Sequence, residues 1–210
     1  MVITYHGLSC FKLQSGETVL VIDPFSKNSG LTPPRFQADV VVSTNQNENH
    51  ANIETIAGDP FQIVNPGEYE IKGIYVQGIT TRNGNTDANT AYIIEWDGMR
   101  LCHLGNIRKK DITEELKEAI GTPDVLFVPV GGADALDPEE AAALANQIEP
   151  RVVIPMHYKI KGLDISLKGP EKFIKELGVD EPKPEDRFTF KKKDLPQDAT
   201  KLIVLEPPTK

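Results

Sequence analysis

The sequence predicts an α/β fold: two sheets packed face to face with helices outside. Two observations predict it. The first half carries short alternating or apolar runs punctuated by Gly, Pro and Asn, as antiparallel strands do. In the second half, fully apolar runs at 125–130 and 151–156 alternate with helical segments, as strand–helix units do. No internal repeat is visible and no linker is long enough to split the chain. The 210 residues are therefore read as a single domain, 1–210, large enough to bury a substantial core.

Residues 2–5, 10–13 and 18–22 read as three short strands separated by turn-rich tetrapeptides. The third ends on Asp23-Pro24, where an Asp either starts a turn or orients a neighbouring side chain. Residues 26–35 are polar and Pro-containing, hence a surface loop. Residues 38–42 form a buried strand, and 51–56 a short helix. Residues 62–64, 68–71 and 74–79 read as an antiparallel meander, and 91–96 with 99–103 as a hairpin across Asp97-Gly98. The loop 83–89 is Gly- and Asn-rich like a phosphate cradle, but no Gly-Lys-Ser/Thr follows it, which excludes a P-loop. Residues 111–120 form a helix. Asp137-Pro138-Glu139-Glu140 starts another, with Asp as N-cap, Pro at the first position and Glu closing a capping box. A last helix spans 170–177 before Gly178, and 188–191 and 201–205 are terminal strands.

Composition excludes several function classes. The formal net charge is −8, and the densest basic run, Lys191-Lys192-Lys193, is short enough to be a solvated turn. Nucleic acid is a poor partner for such a chain, because phosphate neutralisation dominates that affinity. No run approaches the ~18 apolar residues of a membrane span. The start lacks the charged and apolar regions of a secretory signal. The two cysteines, Cys10 and Cys102, sit in apolar segments and read as free thiols of a reducing cytoplasm.

The chemistry concentrates after residue 42. There the apolar strand runs into Ser43-Thr44-Asn45-Gln46-Asn47-Glu48-Asn49-His50, with Asn at alternating positions ending on His. Strand ends in layered α/β folds are where sites are built. Of the four histidines (His6, His50, His103, His157), the last three end strands or the loop after one.

The register Asn45-x-Asn47-x-Asn49-His50 resembles the His-x-His-x-Asp-His loop of the metallo-β-lactamase superfamily. His103-Leu104-Gly105-Asn106 resembles its His-x-Gly-Asp motif, and Pro155-Met156-His157 its late strand-end His. Gly7-x-Ser9-Cys10-Phe11, Ile22-Asp23-Pro24 and the stretch 124–158 resemble the small branch similar to lactonases and metal-dependent hydrolases. The resemblance covers about residues 1–160 and implies an αββα sandwich. It implies one zinc at the positions of Asn45, Asn47 and His103. A second falls at those of Asn49, His50 and His157, with a carboxylate at the Asn106 position bridging them.

Four of those seven positions are Asn here. A carboxamide oxygen is a weak zinc ligand beside imidazole, thiolate or carboxylate. Two readings stay open. A small shift could gather His50, His103 and His157 around a single zinc. Alternatively, the histidines and the four asparagines form a self-satisfied polar network lining a cleft without a metal; a small-molecule ligand there would be bound by Asn45, Asn47, Asn49, Asn106 and Asp23. His6 is placed near the cleft. Ser9-Cys10 offers no legible Asp-His partners, so nucleophilic catalysis there is rejected. The functions in contention are a degenerate hydrolase of little or no activity, a metal-dependent hydrolase with a reduced site, and a binding or regulatory protein. A scaffold role would need a large apolar surface patch.

Overall fold

A computed structural model describes residues 1–82, 88–179 and 182–208. The loop read at 83–89 lies mostly outside them. Among the described residues, thirteen strands form two sheets. The first has the order β12(Phe188–Thr189)-β1(Val2–Gly7)-β2(Cys10–Ser15)-β3(Thr18–Ile22)-β4(Val40–Val42)-β5(Phe61–Ile63). The second has the order β13(Lys201–Leu202)-β11(Val152–Met156)-β10(Val125–Pro129)-β9(Met99–His103)-β8(Asn89–Trp96)-β7(Ile74–Arg82)-β6(Gly67–Ile71).

Sequence period separates the half-exposed strands of the first sheet from strands buried on both faces. Val2–Gly7 alternates half-buried and buried residues, so Ile3 and Tyr5 face the interior while His6 faces out. Its antiparallel partner β2 sends Phe11 and Leu13 inward. By contrast β4, β10 and β11 are buried along their whole length, and all three pair parallel to neighbours. Strands covered on both faces need such continuous apolar runs. Tyr5, Phe11 and Phe127 meet at the centre, with ring centroids of Phe11 and Phe127 4.5 Å apart. At about 25 cal/mol per Å² of apolar surface, each such side chain stabilises the sandwich by roughly 1.5–3 kcal/mol.

The helices α1(Glu114–Ile120), α2(Pro138–Ile148) and α3(Glu171–Leu177) add their apolar faces to the main core. α2 is capped as its sequence requires: Asp137 accepts from the Glu140 amide at 2.9 Å, and the Glu140 carboxylate accepts from the Asp137 amide at 3.2 Å. The outer face of the first sheet is covered differently. Leu8, Cys10, Val21 and Val41 pack there under Phe25, Leu31, Phe36, Leu163 and Ile165, which come from loops. The sandwich is thus αββα in layer order, with irregular chain and two short 3₁₀ turns as one outer layer.

Four expectations change. Residues 62–64 do not join the meander: β5 crosses to the first sheet, parallel to β4, because Asn65-Pro66 breaks the run before β6. The helix at 51–56 is one 3₁₀ turn, Ile53–Thr55, without a side-chain N-cap bond. The helix read from 111 starts at Glu114, where the Thr113 hydroxyl caps the Leu116 amide at 3.2 Å. The terminal strands are two residues each. Cys10 and Cys102 are buried free thiols. Among the described residues, no helix is long and apolar enough to cross a membrane.

Candidate functional site

β3 and β4 run parallel, as do β9, β10 and β11, so the segments leaving each group emerge together. At one such end lies a cleft of about 150 Å³. Asn45, Asn47, Asn49, His50, Arg82, Asn106, Asp134 and His157 line it, with Ala88, Ala133 and Ile165. The four asparagines and two of the histidines singled out in the sequence are therefore neighbours. Backbone strain is present at the cleft: Ala133 and His157 in its lining, and Leu8 and Asp23, which bond to residues of the lining, adopt left-handed φ of 50–58°. Non-glycine residues held there cost about 1–3 kcal/mol each, and such strain clusters at ligand sites.

Asp23 follows β3 and is fully buried. Its carboxylate accepts from the Thr44 amide at 2.7 Å, the Thr44 hydroxyl at 2.7 Å and His50 Nδ1 at 2.8 Å. It therefore ties the start of the Asn-rich loop to the loop's end, and leaves Nε2 as the His50 nitrogen available to the cleft. Asp23 itself supports the site from behind and does not line it.

The asparagines divide into two kinds. Asn45 Oδ1 accepts from the Asn47 amide, and Asn47 Oδ1 from the Asn49 amide, each at 2.9 Å. These are successive Asx-turns, a physical reason for Asn at alternating positions that needs no ligand. Asn49 Oδ1 and Asn106 Oδ1, in contrast, are buried and have no partner, and so is His157 Nδ1. The His157 amide is anchored to the Leu8 carbonyl at 2.6 Å. Burial and the nearby His50 push the His157 pKa down to about 3, against a smaller upward pull from Asp23. His157 is thus neutral near pH 7, and its ring stacks on that of His50 with centroids 6.3 Å apart.

His103 does not line the cleft. It is fully buried in the sandwich, edge-on to Phe11 at 6.0 Å and beside Phe127 at 5.7 Å. Its Nε2–H donates to the Ser9 carbonyl at 3.0 Å, and its Nδ1 accepts the Gly105 amide at 3.2 Å. Both ring nitrogens are spent on the main chain, so neither is offered to a metal beside His50 and His157, although Asp23 and His50 lie near enough to act on the charge of the ring. Burial also holds its pKa down. His6 departs from expectation too: it stacks on Phe36 at 5.2 Å on the outer face of the first sheet, away from the cleft lining.

The zinc pair implied by the resemblance does not fit these residues. Asn45, Asn47 and His103 would hold the first ion, and the relevant atoms of all three are already in hydrogen bonds to backbone amides or a carbonyl. The bridging position is the neutral Asn106. Among the described residues, no three His, Cys, Asp or Glu side chains are grouped to hold a metal.

Two polar cleft residues escaped the sequence reading. Arg82 ends β7 and donates to the Asn106 carbonyl at 3.2 Å and to Asp111 at 2.7 Å. Asp134 lies beyond β10. The signal was present: one stands at the end of a strand and the other in the segment after one, as His157 and His50 do. A wider groove of about 440 Å³ lies at the β8–β9 turn, beside Tyr75, Trp96 and Lys192. Its Arg100 and Glu95 pair with each other, and among the described residues no orphaned buried atom belongs to its lining.

Residues 2–157 match the family described as the beta-lactamase superfamily domain. A UPF0173 metal-dependent hydrolase from Thermococcus onnurineus is 25% identical over 188 residues, covering 74% of this chain and 84% of that one. A metallo-beta-lactamase superfamily protein of known crystal structure from Thermotoga maritima is 32% identical with a TM-score of 0.81, covering 97% of each chain. The metallo hydrolase Igni18 from Ignicoccus hospitalis shares the fold, with a TM-score of 0.67 and 20% identity over 99% of this chain and 96% of its own.

Proposed function

This chain belongs to the beta-lactamase superfamily, and from that premise we propose that it is a degenerate member, which binds a small polar molecule and has little or no hydrolase activity. One observation carries the reading: the residues at the first metal position have spent their donor atoms on the main chain. Asn45 and Asn47 shape the loop, and His103 ties β9 to the β1–β2 turn.

Chemistry points the same way. Metal-assisted hydrolysis needs cationic charge to bring the pKa of a bound water down to about 7. Neutral carboxamides at the Asn45, Asn47, Asn49 and Asn106 positions supply neither the charge nor the affinity to collect two ions. What remains is a strained, preorganised cleft with acceptor atoms in want of partners, which suits ligand binding.

The test is elemental analysis of tag-free protein, together with zinc titration against a chromophoric chelator and ester and lactone hydrolysis assays. The expected result is no stoichiometric zinc and hydrolysis at the buffer rate. One zinc per chain, lost together with hydrolysis in His157→Ala, would overturn the reading in favour of a metal-dependent hydrolase with a single-ion site.

A further inference from the structure

Resting on that ligand-binding reading, we propose that the cleft selects a small organic cation carrying N–H donors, such as the ammonium end of a short alkylamine.

The unpartnered atoms of the lining set the polarity. Asn49 Oδ1, Asn106 Oδ1 and His157 Nδ1 are all buried without a partner among the described residues; the two carboxamide oxygens present lone pairs, and so does His157 Nδ1 in its Nε2–H tautomer. His157 is only 5% exposed, so bulk water does not reach it freely. Among the described residues, the other orphaned buried atoms belong to His6, Ser9, Ser43 and Glu139, none of which lines this cleft. A ligand that satisfies the lining must therefore donate. Acceptor-rich ligands such as carboxylates and phosphates would leave these atoms unpaired.

Charge agrees with this polarity. Arg82 is the cation of the lining, and it is paired with Asp111 at 2.7 Å. Asp134 adds an exposed carboxylate at the rim, and Asp23 lies behind His50. The carboxylates outnumber the guanidinium, so the field favours a cation. Size limits the occupant. A cleft of about 150 Å³ has the volume of roughly five waters, enough for an ammonium head and a short chain. Ala88, Ala133 and Ile165 offer the apolar wall such a chain needs.

Thermal unfolding of chelator-treated protein tests this, with methylammonium, tetramethylammonium and acetate salts at matched ionic strength. Methylammonium is expected to raise Tm in step with the logarithm of its concentration above Kd, by roughly 5–10 °C once it exceeds its Kd about 100-fold. Tetramethylammonium, a cation without N–H, and acetate are expected to leave it unchanged. The shift should vanish in Asn106→Leu and in His157→Phe; the first, at a half-exposed position, serves if the second does not fold. Equal shifts from both ammonium salts, a shift from acetate, or no shift from any of them would overturn the proposal. Stoichiometric zinc binding would instead defeat the reading beneath it, so the two failures are separable.

Discussion

His103 Nε2 and the Ser9 carbonyl oxygen stand 3.0 Å apart inside the sandwich, joining the end of β9 to the turn between β1 and β2. The bond turns what looks like a metal ligand into a tie between the two sheets. His103→Leu leaves the Ser9 carbonyl and the Gly105 amide without these partners. The expected cost is about 2–4 kcal/mol of stability, because buried groups left unpaired carry their full desolvation penalty. Urea denaturation measures it. Zinc uptake should be the same before and after the substitution; a metal lost with His103 would contradict its structural role.

Asp23 is the second tie. Three donors converge on one buried carboxylate, so Asp23→Asn removes the charge and turns an N–H toward either Thr44 or His50. Loss of a charge-assisted bond predicts destabilisation of about 1.5–3 kcal/mol. The change should also appear in the His50 imidazole NMR signals, since Nδ1–H loses its acceptor. Unaltered His50 resonances would show that Asp23 does not orient the ring.

Gly131 presses its backbone on that of His157: a Cβ there would collide with the His157 carbonyl oxygen. Gly131→Ala must push His157 off its left-handed conformation or away from Leu8. We expect a loss of about 1–3 kcal/mol by the overpacking rule and weaker ligand-induced stabilisation. Ligand binding that survives unchanged would mean that the position of His157 does not matter to the cleft.

Acid should destabilise the protein before its carboxylates titrate. Burial and Lys12 lower the His6 pKa to about 4, and burial lowers that of His157 to about 3, against about 6.5 in the unfolded chain. Below pH 6.5 the unfolded state binds the proton and the folded state does not. Stability therefore falls as pH falls, and each such histidine contributes about 1.4 kcal/mol per pH unit down to its folded pKa. His103 acts in the same direction. The stability measured from pH 7 to pH 4.5 should slope accordingly. His6→Phe, which leaves the cleft lining alone, should flatten the slope by one proton. A slope unchanged by His6→Phe would place its proton in solvent.

Much of this was legible in the chain. Apolar runs such as 125–130 and 151–156 identified buried strands because a strand covered on both faces has no polar side to show. Strand-end residues located the cleft for the same topological reason: parallel strands deliver the segments after them to one end. The covering of the first sheet was less legible. Loop residues such as Phe25, Leu31 and Ile165 have no period, so no pattern announced that irregular chain would do a helix's work.

By itself, then, the sequence determined the family, the sandwich and the identity of the side chains around the cleft, because these follow from residue type and order. Only the tertiary structure decided what those side chains are for. Hydrogen-bond partners are set by direction, and direction is invisible in a motif. His103 and His157 look alike in sequence, each an imidazole at the end of an apolar strand. In the fold the first has both nitrogens satisfied by main-chain groups, and the second keeps Nδ1 buried without a partner.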